Sequence, residues 1–141
     1  MAPFNLKIIT PDKILFDGQT ENVIVRTTVG DKGILARHEA YVAALPIGQL
    51  RMKTKEGKFR TAAISTGTVR VEENGDTVIL VQSCEWGDKI SVKRAERAKA
   101  KAEECIRDDK ASKLDHDIAE FKLKRALNRL NAANVNSGNK N

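Results

Sequence analysis

At 141 residues the chain is the size of one domain or two small ones, which excludes a large multidomain enzyme. With 40% hydrophobic and 31% charged residues it has material for a modest core and too much for disorder throughout, while 4% aromatics leave few rings for stacking single-stranded nucleic acid. The formal charge of +6 is unevenly placed: residues 1–87 carry 11 Lys/Arg against 10 Asp/Glu, and the remainder carries 14 against 9. A basic C-terminal part suits nucleic acid, an anionic membrane or an acidic protein surface, and charge alone does not choose among them.

The chain begins Met1-Ala2-Pro3-Phe4-Asn5 and passes directly into alternating sequence, without the basic and apolar regions of an export signal, so none is expected. Up to about Trp86 apolar residues recur with a period of two, as at Leu6 and Ile8 and at Val23 and Val25, which predicts short strands. Turn signals separate them at Pro11-Asp12, Asp17-Gly18, Gly30-Asp31-Lys32-Gly33, Pro46-Ile47-Gly48, Lys55-Glu56-Gly57, Gly67 and Asn74-Gly75, a spacing that suits a sandwich. Asn74-Gly75 predicts a two-residue type I′ hairpin joining Thr68–Glu72 to Thr77–Gln82. The longest apolar run, Tyr41 to Pro46, falls far short of the ~18 residues of a membrane span, and a soluble protein is expected.

From Asp88 to about Ala133 no Gly or Pro interrupts a composition rich in Ala, Lys, Arg and Glu, which predicts two helices. The first, near Ser91 to Arg107, carries a narrow stripe of small residues, Ala95, Ala98, Ala102 and Cys105. The second opens at Ser112 with a Ser-Lys-Leu-Asp capping sequence ending in Asp115 and carries Ala119, Leu123, Ala126 and Leu130. The short link Asp108 to Ala111 makes the two antiparallel neighbours packed stripe to stripe. The domains expected are a β-sandwich over 1–87, a helical hairpin over 88–133 and a disordered tail over 134–141, an α+β architecture. Ala contributes little buried area, so the hairpin is expected to be marginal by itself.

Catalytic chemistry finds no foothold. His38 and His116 stand at no ligand spacing from Cys, His or carboxylate, so no metal is expected. Cys84 and Cys105 read as small semi-buried thiols, and Gly30-x-x-Gly33 is too short for a phosphate loop and lacks its Lys, which leaves a turn between strands. Two cysteines make no disulfide framework, and a reducing compartment is expected. Lys122, Arg125 and Arg129 at i, i+3 and i+7 form a cationic ridge, which reads either as a solvated face or as a contact for an acidic protein or a polyphosphate.

Three segments in order, Thr10-Pro11-Asp12-Lys13-Ile14-Leu15-Phe16-Asp17-Gly18, then Gly30-Asp31-Lys32-Gly33-Ile34-Leu35 with His38-Glu39-Ala40, then Ser65-Thr66-Gly67-Thr68-Val69-Arg70-Val71, resemble the epsilon-subunit family of bacterial F-type ATP synthases. Ala95 to Ala102 and Lys124-Arg125-Ala126-Leu127-Asn128-Arg129-Leu130 resemble its two C-terminal helices, so the likeness runs over about residues 4 to 131. The resemblance implies a sandwich of about ten strands followed by a helical hairpin. It implies a non-catalytic rotor subunit of the central stalk, peripheral on the cytoplasmic face of the bacterial membrane and held there only through the complex. The sandwich would couple the gamma subunit to the c-ring, with Asp31 facing the c-ring and His38 near gamma. The helices would fold down, or extend towards the alpha/beta catalytic head and inhibit ATP hydrolysis, with Lys122, Arg125 and Arg129 meeting acidic residues there.

No cofactor is required by that reading, and ATP would be a weak regulatory ligand. By resemblance its site would use Glu85, Ile90, Ser91, Arg94, Ala95, Lys101, Arg125 and Arg129. Ser91 replaces the Asp of the family's Ile-Asp-x-x-Arg-Ala motif and Lys101 stands where binding members can have Arg, which removes a carboxylate and a planar fork. Ala36-Arg37 replaces the Pro-Gly that often precedes the family's His, at His38 in this chain. The rival reading is a nucleic-acid-binding protein acting through the basic hairpin; the rotor reading itself expects no nucleic acid.

Overall fold

The alternating sequence from Phe4 to Trp86 is realised as ten short strands in the computed structural model, which describes residues 2–138. They are β1 (Phe4–Ile9), β2 (Ile14–Thr20), β3 (Asn22–Thr27), β4 (Gly30–Leu35), β5 (Tyr41–Leu45), β6 (Gly48–Lys53), β7 (Phe59–Ile64), β8 (Gly67–Val71), β9 (Thr77–Val81) and β10 (Cys84–Trp86). One sheet runs β2-β1-β9-β8-β5 and the other β10-β7-β6-β3-β4. All pairings are antiparallel except β1 with β9, which are parallel from Leu6 opposite Thr77 to Ile9 opposite Leu80.

Alternate side chains of both sheets meet between them. Leu6, Ile8, Val23, Val25, Ile34, Leu50, Val69 and Ile79 are buried to 1% exposure or less, and each such side chain contributes roughly 1.5–3 kcal/mol on leaving water. A hydroxyl ties the two sheets where the chain crosses from β2 to β3: Thr20, at the end of β2, donates to the carbonyl oxygen of Lys53 on β6 at 2.7 Å. Next to it Lys53 pairs with Glu21 at 3.0 Å and holds that carboxyl below the usual range.

Two expected turns differ from the sequence reading. Gly30 to Gly33 is not a turn but the first part of β4; the reversal lies at Thr28 and Val29, with Thr27 paired to Gly30. The Thr27 hydroxyl builds that turn, accepting from the Val29 N–H and donating to the Gly30 carbonyl, and Gly30 closes it with φ 118°, a conformation that favours glycine. Asn74-Gly75 does join β8 to β9, but through a three-residue loop rather than a type I′ pair. The Gly75 N–H reaches the Glu72 carbonyl and the Glu72 N–H reaches the Asp76 carbonyl, and only Gly75 has positive φ, at 92°. The Asn74 carboxamide oxygen accepts the Asp76 N–H, which holds Asn74 at the turn without left-handed backbone. Thr54 to Lys58 repeats this construction, with Gly57 at φ 82°.

The structure divides into two compact units, Met1–Trp86 and Gly87–Asn141. The second opens with a 3-10 turn, Gly87–Lys89, followed by α1 (Val92–Arg107) and α2 (Lys113–Gly138). Ser91 caps α1 by accepting the Arg94 N–H at 3.3 Å, and Ser112 caps α2 by accepting the Asp115 N–H at 3.1 Å. Ala95 and Ala102 of α1 and Ala119 and Ala126 of α2 are buried, at the seven-residue spacing expected of a narrow helix seam, whereas Ala98 is exposed. The helix end expected near Ala133 lies further on, because α2 continues to Gly138. Burial of Ala132 and Ala133 outweighs the modest helix penalty of the Asn residues there. The rest of the expected tail, 139–141, lies outside the described residues.

Candidate functional site

The seam of small residues lets α1 and α2 approach closely on one side and leaves an opening on the other, a groove of about 470 Å³. Its floor is methyl groups, Ala98 and Ala102 of α1 with Ala119 and Ala126 of α2. Its rims are charged. Lys122, Arg125 and Arg129 come from α2 and Lys101 from α1, against the single carboxylate Asp115. Lys122 and Arg125 are exposed, and Arg129 is half-buried. Four cations around an apolar floor repel one another and favour an anion or an acidic surface. Cys105 lines the same groove and donates its S–H towards the Asp115 carbonyl at 3.7 Å.

Of the residues expected to hold ATP, the groove brings together Lys101, Arg125 and Arg129. Ser91, Arg94 and Ala95 stand at the start of α1, and the axial rise from Arg94 to Lys101 is about 10 Å. Ser91 is engaged as the helix cap, Ala95 is fully buried with its N–H on the Ser91 carbonyl, and the Ile90 N–H is taken by Gly87. Glu85 belongs to the other unit, on β10 opposite Ala63.

Asp31 and His38 lie at the edge of the sandwich formed by β4 and the segment after it. Asp31 is not on a turn; it pairs across strands with Arg26 at 2.7 Å, half-exposed. The His38 ring sits edge-on to Tyr41 with centroids 5.6 Å apart, its Nδ1 2.7 Å from the Glu39 carbonyl oxygen, and Lys32 lies 5.1 Å over the Tyr41 ring. Arg37, immediately before His38, has φ 64°, the left-handed backbone that glycine adopts without strain.

Among the described residues no group of three or more His, Cys, Asp or Glu could hold a metal ion, and no helix is long and apolar enough to cross a membrane. Burial pushes the Cys84 thiol up to about 12, the nearby Glu85 carboxylate adds to the rise, and Lys13 opposes it. Such a thiol stays protonated and is a poor nucleophile.

Sequence reasoning passed over one feature, the exposure of Leu114, Ile118 and Phe121, for which the i, i+4, i+7 spacing was the signal available.

Residues 3–87 match the family profile described as the beta-sandwich domain of the ATP synthase delta/epsilon chain, and residues 88–134 match its long alpha-helix domain. The ATP synthase epsilon chain of Ruminococcus albus is 44% identical over 134 residues, 95% of this chain and 98% of that one. That of Clostridium novyi is 40% identical over 127 residues, 90% and 95% of the two chains. Among solved structures, a chain of the Euglena gracilis mitochondrial ATP synthase, from an OSCP/F1/c-ring assembly, superposes with a TM-score of 0.81 at 23% identity over 94% of this chain and 82% of that one, a likeness of fold. Two units that match successive epsilon-chain profiles, and relatives matched over nearly their whole length, establish that the chain belongs to the epsilon-subunit family of F-type ATP synthases.

Proposed function

We propose that the chain is a non-catalytic rotor subunit of the central stalk, coupling gamma to the c-ring through its sandwich and restraining ATP hydrolysis through its helices. The observation that carries this reading is the match of both units, in order, to the two parts of the ATP synthase delta/epsilon chain. The Euglena assembly named above contains F1 and a c-ring, which supports placing this chain in a complex of that kind. On the sandwich, the edge bearing Asp31 faces the c-ring and His38 lies near gamma. On the hairpin, Lys122, Arg125 and Arg129 meet acidic residues of the alpha/beta head when the helices extend. The complex holds the chain on the cytoplasmic face of the bacterial membrane. The nucleic-acid reading is not favoured, since neither family match points to it.

ATP acts in this reading as a weak regulatory ligand of the helices. Lys101, Arg125 and Arg129 converge on one groove and suit its phosphates, while Ser91, already spent as a cap, offers no carboxylate for its base. The decisive experiment compares ATP hydrolysis by complexes assembled with the full chain and with a chain ending after Trp86, where the sandwich unit closes. Faster hydrolysis with the shortened chain is expected; equal rates refute the restraining role.

A further inference from the structure

Of the large apolar side chains that α2 leaves to solvent, three lie close together in the first half of the helix: Leu114 is 67% exposed, Ile118 44% and Phe121 44%. A single exposed apolar residue is ordinary, but these stand at i, i+4 and i+7. At about 100° per residue they fall with Arg125 inside an arc of about 60°. The buried Ala119, Ala126 and Ala133 lie roughly a third of a turn around, so the stripe is centred away from the buried seam, with Ile118 reaching the wall of the groove between α1 and α2. The same face continues through Lys122, Arg125 and Arg129 and carries no carboxylate between Ile118 and Arg129. An apolar stretch running into a cationic stretch along one helix face has the form of a helix that docks in a groove, with apolar anchors at i, i+4 and i+7.

We infer that Leu114, Ile118 and Phe121 are the apolar anchor by which α2 docks on the catalytic head, in an apolar depression bordered by carboxylates. This inference rests on the restraining role proposed above. The carboxylates follow from the surplus of cations on the face: Lys122, Arg125 and Arg129 outnumber Asp115 in the groove and Asp117 beside Leu114 and Phe121, and burying the surplus without opposite charge is costly. The ridge guides and orients the docking helix, as exposed charges do, and the anchor supplies most of the affinity. Each anchor side chain, once buried, is worth about tenfold or more in affinity.

The test compares ATP hydrolysis at low and high salt for complexes carrying the parent chain, Leu114→Gln/Ile118→Gln/Phe121→Gln, Lys122→Ala/Arg125→Ala/Arg129→Ala, and the chain ending after Trp86. The polar anchor variant is expected to hydrolyse ATP as fast as the shortened chain at both salts, with its helix content unchanged by circular dichroism. The ridge variant is expected to differ from its parent mainly at low salt, where charges act beyond about 10 Å. The apolar replacements Ile118→Leu and Phe121→Leu are expected to preserve inhibition; if they release it as fully as the polar set, the anchor is overturned. Parent-like inhibition by the polar variant beside a fast shortened chain overturns the anchor and leaves the restraining role standing. A shortened chain no faster than the parent overturns both. Self-association of the isolated chain that the polar variant abolishes identifies a second copy as the occupant and likewise overturns the proposal.

Discussion

Arg37 holds a backbone conformation with φ 64°, in a region where a Cβ is strained by about 1 kcal/mol or more. Arg37→Gly removes that strain at the cost of greater freedom in the unfolded chain, so a net gain of about 0.5–1 kcal/mol is expected, visible as a thermal midpoint raised by a few degrees. Cys84 gives a test of opposite character. Its thiol ionises near 9 in the unfolded chain and near 12 when buried, so above pH 9 the unfolded chain releases a proton that the folded one retains. Its contribution is complete below pH 9 and is lost as the pH rises to 12. Denaturant titrations across that range are expected to show falling stability, with a shallower fall in Cys84→Ala. Alkylation at pH 8 is expected to mark Cys105, which is half-buried at the groove, well before Cys84.

Among the elements, β8 begins at a glycine whose role is close approach. A Cβ at Gly67 would run into the Leu80 carbonyl oxygen and lie 2.7 Å from the Val81 Cα, both backbone atoms of β9. Gly67→Ala must push the two strands apart, and a loss of about 1–3 kcal/mol in chemical denaturation is expected. On α2, Lys122→Ala/Arg125→Ala/Arg129→Ala is expected to relieve inhibition of hydrolysis in the assembled enzyme, most at low salt, as measured by a salt series of steady-state rates. Period-two alternation made the strands legible, and Ser91 and Ser112 marked both helix starts. Gly30, at φ 118°, signalled a turn, but its position at Thr28-Val29 was hidden, because the Thr27 hydroxyl holds the bend and the residues there are ordinary strand formers. The ridge could be read from spacing alone within one helix. Lys101 opposite it could not, since a seam of alanines leaves the register between two helices weakly specified. The separation of Ser91 and Arg94 from the Arg125 groove follows from that register and from the rise of α1, neither of which a motif encodes.

For the molecule as a whole, the two units differ in what holds them. The sandwich encloses Leu, Ile and Val side chains, whereas the helix seam buries alanines, each worth about one methyl group or roughly 0.8 kcal/mol. Amide hydrogen exchange is accordingly expected to be orders of magnitude faster in α1 and α2 than in β1, β8 and β9; equal protection would contradict a weakly held hairpin. The parallel pairing of β1 with β9 also orders events in time. Leu6 finds its partner Thr77 only after 71 further residues, and the Asn5 carboxamide waits equally long for Asp76. During synthesis the first strand leaves the ribosome early and has β2 as its only neighbour in the sheet until β9 emerges, so the core cannot close until nearly all of the first unit has been made. The helices, whose bonds are local, then follow a sandwich whose last central strand has just arrived.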